Sequence, residues 1–299
     1  MPPKKRTRFG KRQPSVLILY VWGYVARWKQ ASRIETVSHN EPLASVRNAN
    51  GENRIDELID LVFENRSRYS YPRFRIEVHH TRGELEFGDH LRGTFLPDSG
   101  HTDQRLDIYH FALLRSGSPS ENLAGLASVV YWGFATYGDN YARTRARRLL
   151  KGYGARQAVT PDIASDCIAA ARTDIEAGRL GHALGRLGPL CQLSRTPFAS
   201  KVIAFLSPDV AGVYDQWIQW GLLNHPVLVR HSSRGGLFEG ALSGVGSVSS
   251  VRVQDRYESW CHALRLIAAK INNELGTKQV RAVDVERSLF AAIAAYRGA

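Results

Sequence analysis

The chain has 299 residues, 43% of them hydrophobic and 23% charged, which is enough for one large domain or two smaller ones and excludes global disorder. Its 40 lysines and arginines against 28 acidic residues leave a net charge of +12, which points to a polyanionic partner, nucleic acid first. The longest apolar stretch, Val16 to Ala26, is too short to span a bilayer, and no apolar signal segment opens the chain. Cys167, Cys191 and Cys261 form no C-x-x-C pair, so a cytoplasmic protein with reduced thiols and no membrane partner is expected.

Residues 1–14 read as a basic, flexible tail that could bind phosphate or serve as an import signal. Residues 15–117 read as a small α/β region. Val16 to Val25 is rich in β-branched and aromatic residues, consistent with a strand or a buried helix. Ile55, Leu58, Ile59 and Val62 recur at helical spacing. Arg73 to His79 alternates polar and apolar, and so does Glu84 to Phe87 after Arg82-Gly83, so a β-hairpin is expected.

From residue 118 the pattern is helical. Ser120 is placed to cap a helix running through Phe134 to Tyr137, and Asp139 to cap the next, which ends at Gly152. Thr160-Pro161 opens a helix that stops near Gly178. A short helix, Leu180 to Leu187, is broken by Gly188-Pro189, and Thr196-Pro197 opens a helix carrying Lys201. That helix stops at Ser207-Pro208, and Asp215 begins the following one. Residues 231–250, rich in serine and glycine, read as a long flexible loop before two last helices, Arg252 to Leu275 and Asp284 to Tyr296. A string of medium helices joined by short loops makes the chain mainly α, with a small N-terminal α/β or β-hairpin elaboration.

Three constellations could carry chemistry. Leu184 to Lys201 has the plan helix, glycine-containing turn, helix, which presents backbone N–H groups to a phosphate or is an ordinary αα-hairpin. Asp215 sits where a helix N-terminus favours an ionised carboxylate; it reads as an N-cap, as a catalytic group, or as both. Arg143, Arg145 and Arg147 form a basic helix face after Trp132, Phe134 and Tyr137. Trp132 and Tyr137 could stack on an extruded base, while Phe134 has core spacing. Zinc-hydrolase, zinc-deaminase and nucleotide-triphosphate motifs are lacking, so no metal or other cofactor is expected.

The segment from Leu184 through Lys201 to Asp215 resembles the reaction centre of the helix-hairpin-helix DNA glycosylases, with the Gly-x-Gly of the hairpin missing. The run Arg281-Ala-Val-Asp-Val-Glu-Arg287 is similar to the ending of bacterial 8-oxoguanine DNA glycosylase-like proteins, some of which act in phage defence. The resemblance covers roughly residues 118–296 and implies a helix-hairpin-helix glycosylase-like helical domain. It implies a monomeric enzyme that flips a modified or damaged base out of double-stranded DNA and hydrolyses its N-glycosidic bond. Asp215 would stabilise the sugar cation. Lys201 matches the nucleophilic lysine of some members and reads equally as a phosphate ligand, with a solvated surface lysine as the third alternative. Arg195 and Ser200 of the hairpin would contact the DNA backbone, and Tyr214 would join Trp132 and Tyr137 in the base pocket. The alternatives are a bifunctional glycosylase/AP lyase using Lys201 and a non-catalytic DNA-binding protein on the same scaffold.

Overall fold

The computed structural model describes residues 55–69, 74–76, 79–81, 84–86, 93–95 and 104–298. The basic tail and the apolar run Val16 to Val25 lie outside the described residues. The described chain is mainly α-helical, with 11 α-helices. In order they are α1 (Ile55–Asn65), α2 (Gln104–Leu114), α3 (Pro119–Phe134), α4 (Asp139–Lys151), α5 (Pro161–Glu176) and α6 (Leu180–Arg186). There follow α7 (Thr196–Leu206), α8 (Gln216–Asn224), α9 (Pro226–Ser232), α10 (Val251–Leu275) and α11 (Ala282–Gly298).

Between α1 and α2, four three-residue strands form two antiparallel pairs. β2 (His79–Thr81) pairs with β3 (Glu84–Glu86), and β1 (Phe74–Ile76) pairs with β4 (Gly93–Phe95). The hairpin expected around Arg82-Gly83 therefore forms, but its first strand lies later than the alternation at Arg73 to His79 suggests. Thr81 faces Glu84, a register that makes His79 to Thr81 the partner of Glu84 to Glu86.

Helix α3 is the centre of the domain. Residues Asn122 to Phe134 are all buried, and the helix packs on α2, α4, α5 and α7. It starts two residues before the expected cap. Ser118 is the N-cap, its hydroxyl accepting the Glu121 N–H, and Pro119 at the first helical position supplies the fixed φ and needs no N–H partner. Helix α4 likewise begins at Asp139 itself, whose carboxylate is taken by the Tyr131 hydroxyl and by Arg143 at 2.7 Å. Thr160 caps α5 through the Ile163 N–H, as expected.

A second layer is formed by α6, α10 and α11. Gly181 lets α6 lie against α10: a Cβ there would sit 2.4 Å from the Gln254 carbonyl oxygen. Helix α8 lies alongside α11 in the same direction. Trp217 meets Phe290, Gly221 meets Ile293, and Trp220 meets Tyr296. Both N-termini therefore lie at the same end, which places Asp215 beside the first turns of α11.

The segment expected as a flexible loop is packed instead. Pro226 opens α9, a 3-10 turn spans Glu239–Ala241, and Phe238, Ala241 and Val248 are fully buried. Its serines and glycines disguise three apolar anchors, of which Phe238 packs on Trp260. The segment also ties down the start of α7: the Thr196 hydroxyl donates to the Gly244 carbonyl at 2.9 Å, and the Thr196 N–H donates to Gly246 at 3.1 Å. No helix among the described residues is long and apolar enough to cross a membrane.

Candidate active site

Helix α7 ends at Leu206, and the chain then runs through Ser207-Pro208 into a non-helical strap that delivers Asp215 to the start of α8. Side chains from three helices hold the strap. The Tyr257 hydroxyl donates to the Gly212 carbonyl at 3.1 Å, and the Trp260 indole N–H donates to the Val213 carbonyl at 3.1 Å. Ser200 of α7 spans Tyr214, accepting its N–H at 3.1 Å and donating to its carbonyl at 3.3 Å. Glu286 of α11 hydrogen-bonds the Val213 backbone. Gly212 is required by closeness: a Cβ there would lie 2.4 Å from Leu264 Cδ1 and 2.8 Å from Glu286 Cβ. A segment without ladder partners thus has its polar groups satisfied by side chains, which fixes the direction in which Asp215 enters α8.

Asp215 caps α8 as its sequence position predicts. Its Oδ1 accepts the Trp217 and Ile218 N–H groups at 2.9 and 3.1 Å. Oδ2 faces Lys201 Nζ at 3.8 Å, a distance too long for a hydrogen bond but within ion-pair range. The Lys201 side chain is only 6% exposed. Its stem lies against Gly133, where a Cβ would come within 3.1 Å of Lys201 Cδ. Its ammonium donates to the Pro197 carbonyl at 3.1 Å and faces the Phe198 ring at 5.4 Å and the Trp132 ring at 6.0 Å. The third alternative for Lys201, a solvated surface lysine, is excluded by this burial.

A third ionisable group completes the cluster and was not singled out by its sequence context. Glu286 is buried, and the charges of Asp215 and Lys201 both act on its carboxyl. Burial pushes its carboxyl up to about 8; Arg287 and Lys201 oppose the rise and Asp215 adds to it. At neutral pH the Glu286 carboxyl is therefore largely protonated. The spacing of Val285, Leu289 and Ile293 marks one packing face of α11, but Glu286, Arg287 and Ser288 are buried too. The helix is enclosed on more than one side, and its own pattern gives no signal of that.

The remaining expected residues fall into two groups. Tyr137, 71% exposed, Arg143, Arg145 and Arg147 lie on or just before α4, and Arg195 is exposed at the start of α7. Arg145 lies over the Phe134 ring at 4.4 Å, and Phe134 stacks on Phe198 at 4.2 Å, which links this basic face to Lys201. Arg143 is paired with Asp139. In contrast, Ser200, Tyr214 and Trp132 are buried. The Ser200 hydroxyl is used by Tyr214, so it supports the strap and does not face a DNA phosphate. The Tyr214 ring packs on Trp260 with its hydroxyl donating to Ala241 at 2.6 Å, so it is a core residue and does not line an open pocket. Trp132 packs edge-on to Phe205 and walls the Lys201 ammonium from inside. The helix-hairpin segment has a nine-residue connector, 187–195, between α6 and α7, with Leu187, Leu190, Cys191 and Leu193 buried.

Among the described residues no group of three or more His, Cys, Asp or Glu side chains is arranged to hold a metal ion. Comparison with protein-family models, with curated proteins and with solved structures gave no match.

Proposed function

We propose that the protein is a DNA glycosylase that flips a modified or damaged base out of double-stranded DNA and hydrolyses its N-glycosidic bond, with anti-phage defence against modified DNA as its setting. The observation that carries this reading is the buried Lys201–Asp215 pair at the start of α8, linked through Phe198 and Phe134 to the half-buried arginines of α4 and the exposed Tyr137. Breaking the bond between sugar and base builds positive charge on the sugar. The Asp215 carboxylate, fixed by two backbone N–H groups, would stand where that charge develops and would orient the attacking water. Water oxygen adds to the anomeric carbon, the C–N electron pair leaves with the base, and the water proton passes to the departing base through solvent or a neighbouring acid.

The roles divide accordingly. Asp215 is the catalytic carboxylate. Arg143, Arg145, Arg147 and Arg195 grip the DNA backbone, and Tyr137 stacks on or fills in for the extruded base. The burial of Lys201 beside Asp215 also supports a second reading, in which Lys201 attacks the sugar as a nucleophile and the enzyme nicks the strand as a lyase. Treating a panel of duplexes bearing oxidised, alkylated or phage-type modified bases should release free base and leave abasic sites. Absence of release from every such substrate would favour a non-catalytic DNA-binding protein. Borohydride trapping separates the two enzymatic readings: a covalent protein–DNA adduct that disappears in Lys201→Ala marks the lyase, and no adduct marks the simple hydrolase.

A further inference from the structure

Near the C-terminal end of α11, Arg297 lies over the Trp217 ring at 4.3 Å and over the Trp220 ring at 5.4 Å. Trp217 is 37% exposed and is the residue whose N–H binds the Asp215 carboxylate. Arg297 is exposed, and among the described residues no carboxylate lies within ion-pair distance of it. A guanidinium that stacks through its face keeps the N–H groups of its edge available, and that planar edge matches two oxygens of a phosphate.

A similar construction lies at the other end of a path of contacts through the Lys201–Asp215 pair. Arg145 lies over Phe134 at 4.4 Å and over Tyr141 at 5.8 Å. An unbroken series of contacts joins the two guanidiniums. Phe134 stacks on Phe198, Phe198 faces the Lys201 ammonium, Lys201 pairs with Asp215, and Asp215 binds the Trp217 backbone under Arg297. The buried pair thus lies on a path of contacts that ends in two arginines, each over two aromatic rings.

We propose that Arg297, braced on Trp217 and Trp220, is a second phosphate clamp for the DNA strand, acting on the Asp215 side of the site while Arg145 acts on the other. This rests on the DNA reading above and adds a contact outside the arginine-rich helix face. The strand would cross the Lys201–Asp215 pair between the two clamps, with one nucleotide aligned over Asp215. The paired tryptophans restrict the Arg297 side chain before DNA arrives, so less conformational freedom is lost on binding.

Binding of a fluorescent duplex to the full chain carrying Asp215→Asn, which removes turnover, tests the clamp. Adding Arg297→Ala should weaken binding about tenfold at about 0.15 M salt and lower the slope of log affinity against log salt by about one. Arg297→Lys keeps the charge without the planar fork, so it should restore the salt slope but only part of the affinity. Arg297 is exposed, so losing its ring contacts should lower the melting temperature by no more than about 4 °C in either variant. Unchanged affinity and slope in Arg297→Ala would overturn the clamp alone, and so would full recovery of affinity in Arg297→Lys. Failure of the Asp215→Asn parent to bind any duplex would overturn the clamp together with the DNA reading beneath it.

Discussion

Helix α11 contributes to two clusters of buried charge through the neighbouring residues Arg287 and Glu286. At its start, Arg281 and Arg287 meet Asp107 of α2, with hydrogen bonds of 2.8 Å from Arg281 and of 3.0 and 2.5 Å from Arg287; Arg281 also binds Asp284 through two contacts of 2.9 Å. Burial alone would raise the Asp107 carboxyl, but Arg287 and then Arg281 outweigh it and hold it below the ordinary carboxylate range. In the other cluster, Lys201 and Asp215 stand 3.8 Å apart and Glu286 has a backbone partner but no cation in hydrogen-bond contact. The first cluster spends its hydrogen-bonding capacity on itself and locks α2 to α11. The second leaves Asp215 Oδ2 and the Lys201 ammonium with capacity to receive an incoming group. Saturated buried charge holds a fold together, whereas buried charge short of partners is where a site can do chemistry.

The largest effect should come from breaking the saturated cluster. Asp107→Ala would leave Arg287 buried without its carboxylate and should destabilise the fold by roughly 3–5 kcal/mol in a urea melt. Within the second cluster, Gly212→Ala should cost roughly 1–3 kcal/mol, because its methyl would press on Leu264 and Glu286. It should also lower base release by displacing the strap before Asp215; wild-type stability and activity would show that the strap is not tightly constrained. Asp215→Asn keeps the helix cap but removes the carboxylate facing the buried Lys201 ammonium, so it should cost roughly 1–3 kcal/mol, less than Asp107→Ala because Lys201 keeps the Pro197 carbonyl.

Opposite pH dependences separate the clusters further. The Asp107 carboxyl is held low, so its contribution is present above the ordinary value of 3.8 and is lost as pH falls below it. The Glu286 carboxyl is raised, so its contribution is present below the ordinary value of 4.5 and is lost as pH rises toward about 8. Glu286→Gln, which keeps a neutral side chain of the same shape, should change stability by under about 1 kcal/mol at pH 5 and flatten the decline toward pH 8. An unchanged alkaline slope in that variant would show that Glu286 is not the titrating group.

Much of the helical order was legible because caps and breakers are local. Thr160-Pro161, Ser207-Pro208 and the Asp215 cap appear where their residue types place them. The Ser118 start was hidden by Ser120, which competes with it in sequence but lies past Pro119. The packed 231–250 segment was hidden by its composition, since Phe238, Ala241 and Val248 are its only buried apolar side chains among many serines and glycines. In the site, the pairing of Lys201 with Asp215 follows from a short connector between two helix ends. Glu286 does not, because its proximity depends on the parallel packing of α8 on α11, which no motif encodes. Ser200, Tyr214 and Trp132 show the reverse: their residue types suit DNA contact, but long-range packing encloses them. The expected basic tail falls outside the described residues.

The central claim is that Asp215 combines a capping role with a catalytic one. Release of free base from modified duplex DNA, measured for the unsubstituted protein and for Asp215→Asn alongside duplex affinity, tests it most directly. The account predicts that the unsubstituted protein releases base, and that Asp215→Asn loses release by at least about a hundredfold with affinity nearly intact. Release by Asp215→Asn at the unsubstituted rate would contradict it and leave Asp215 a helix cap.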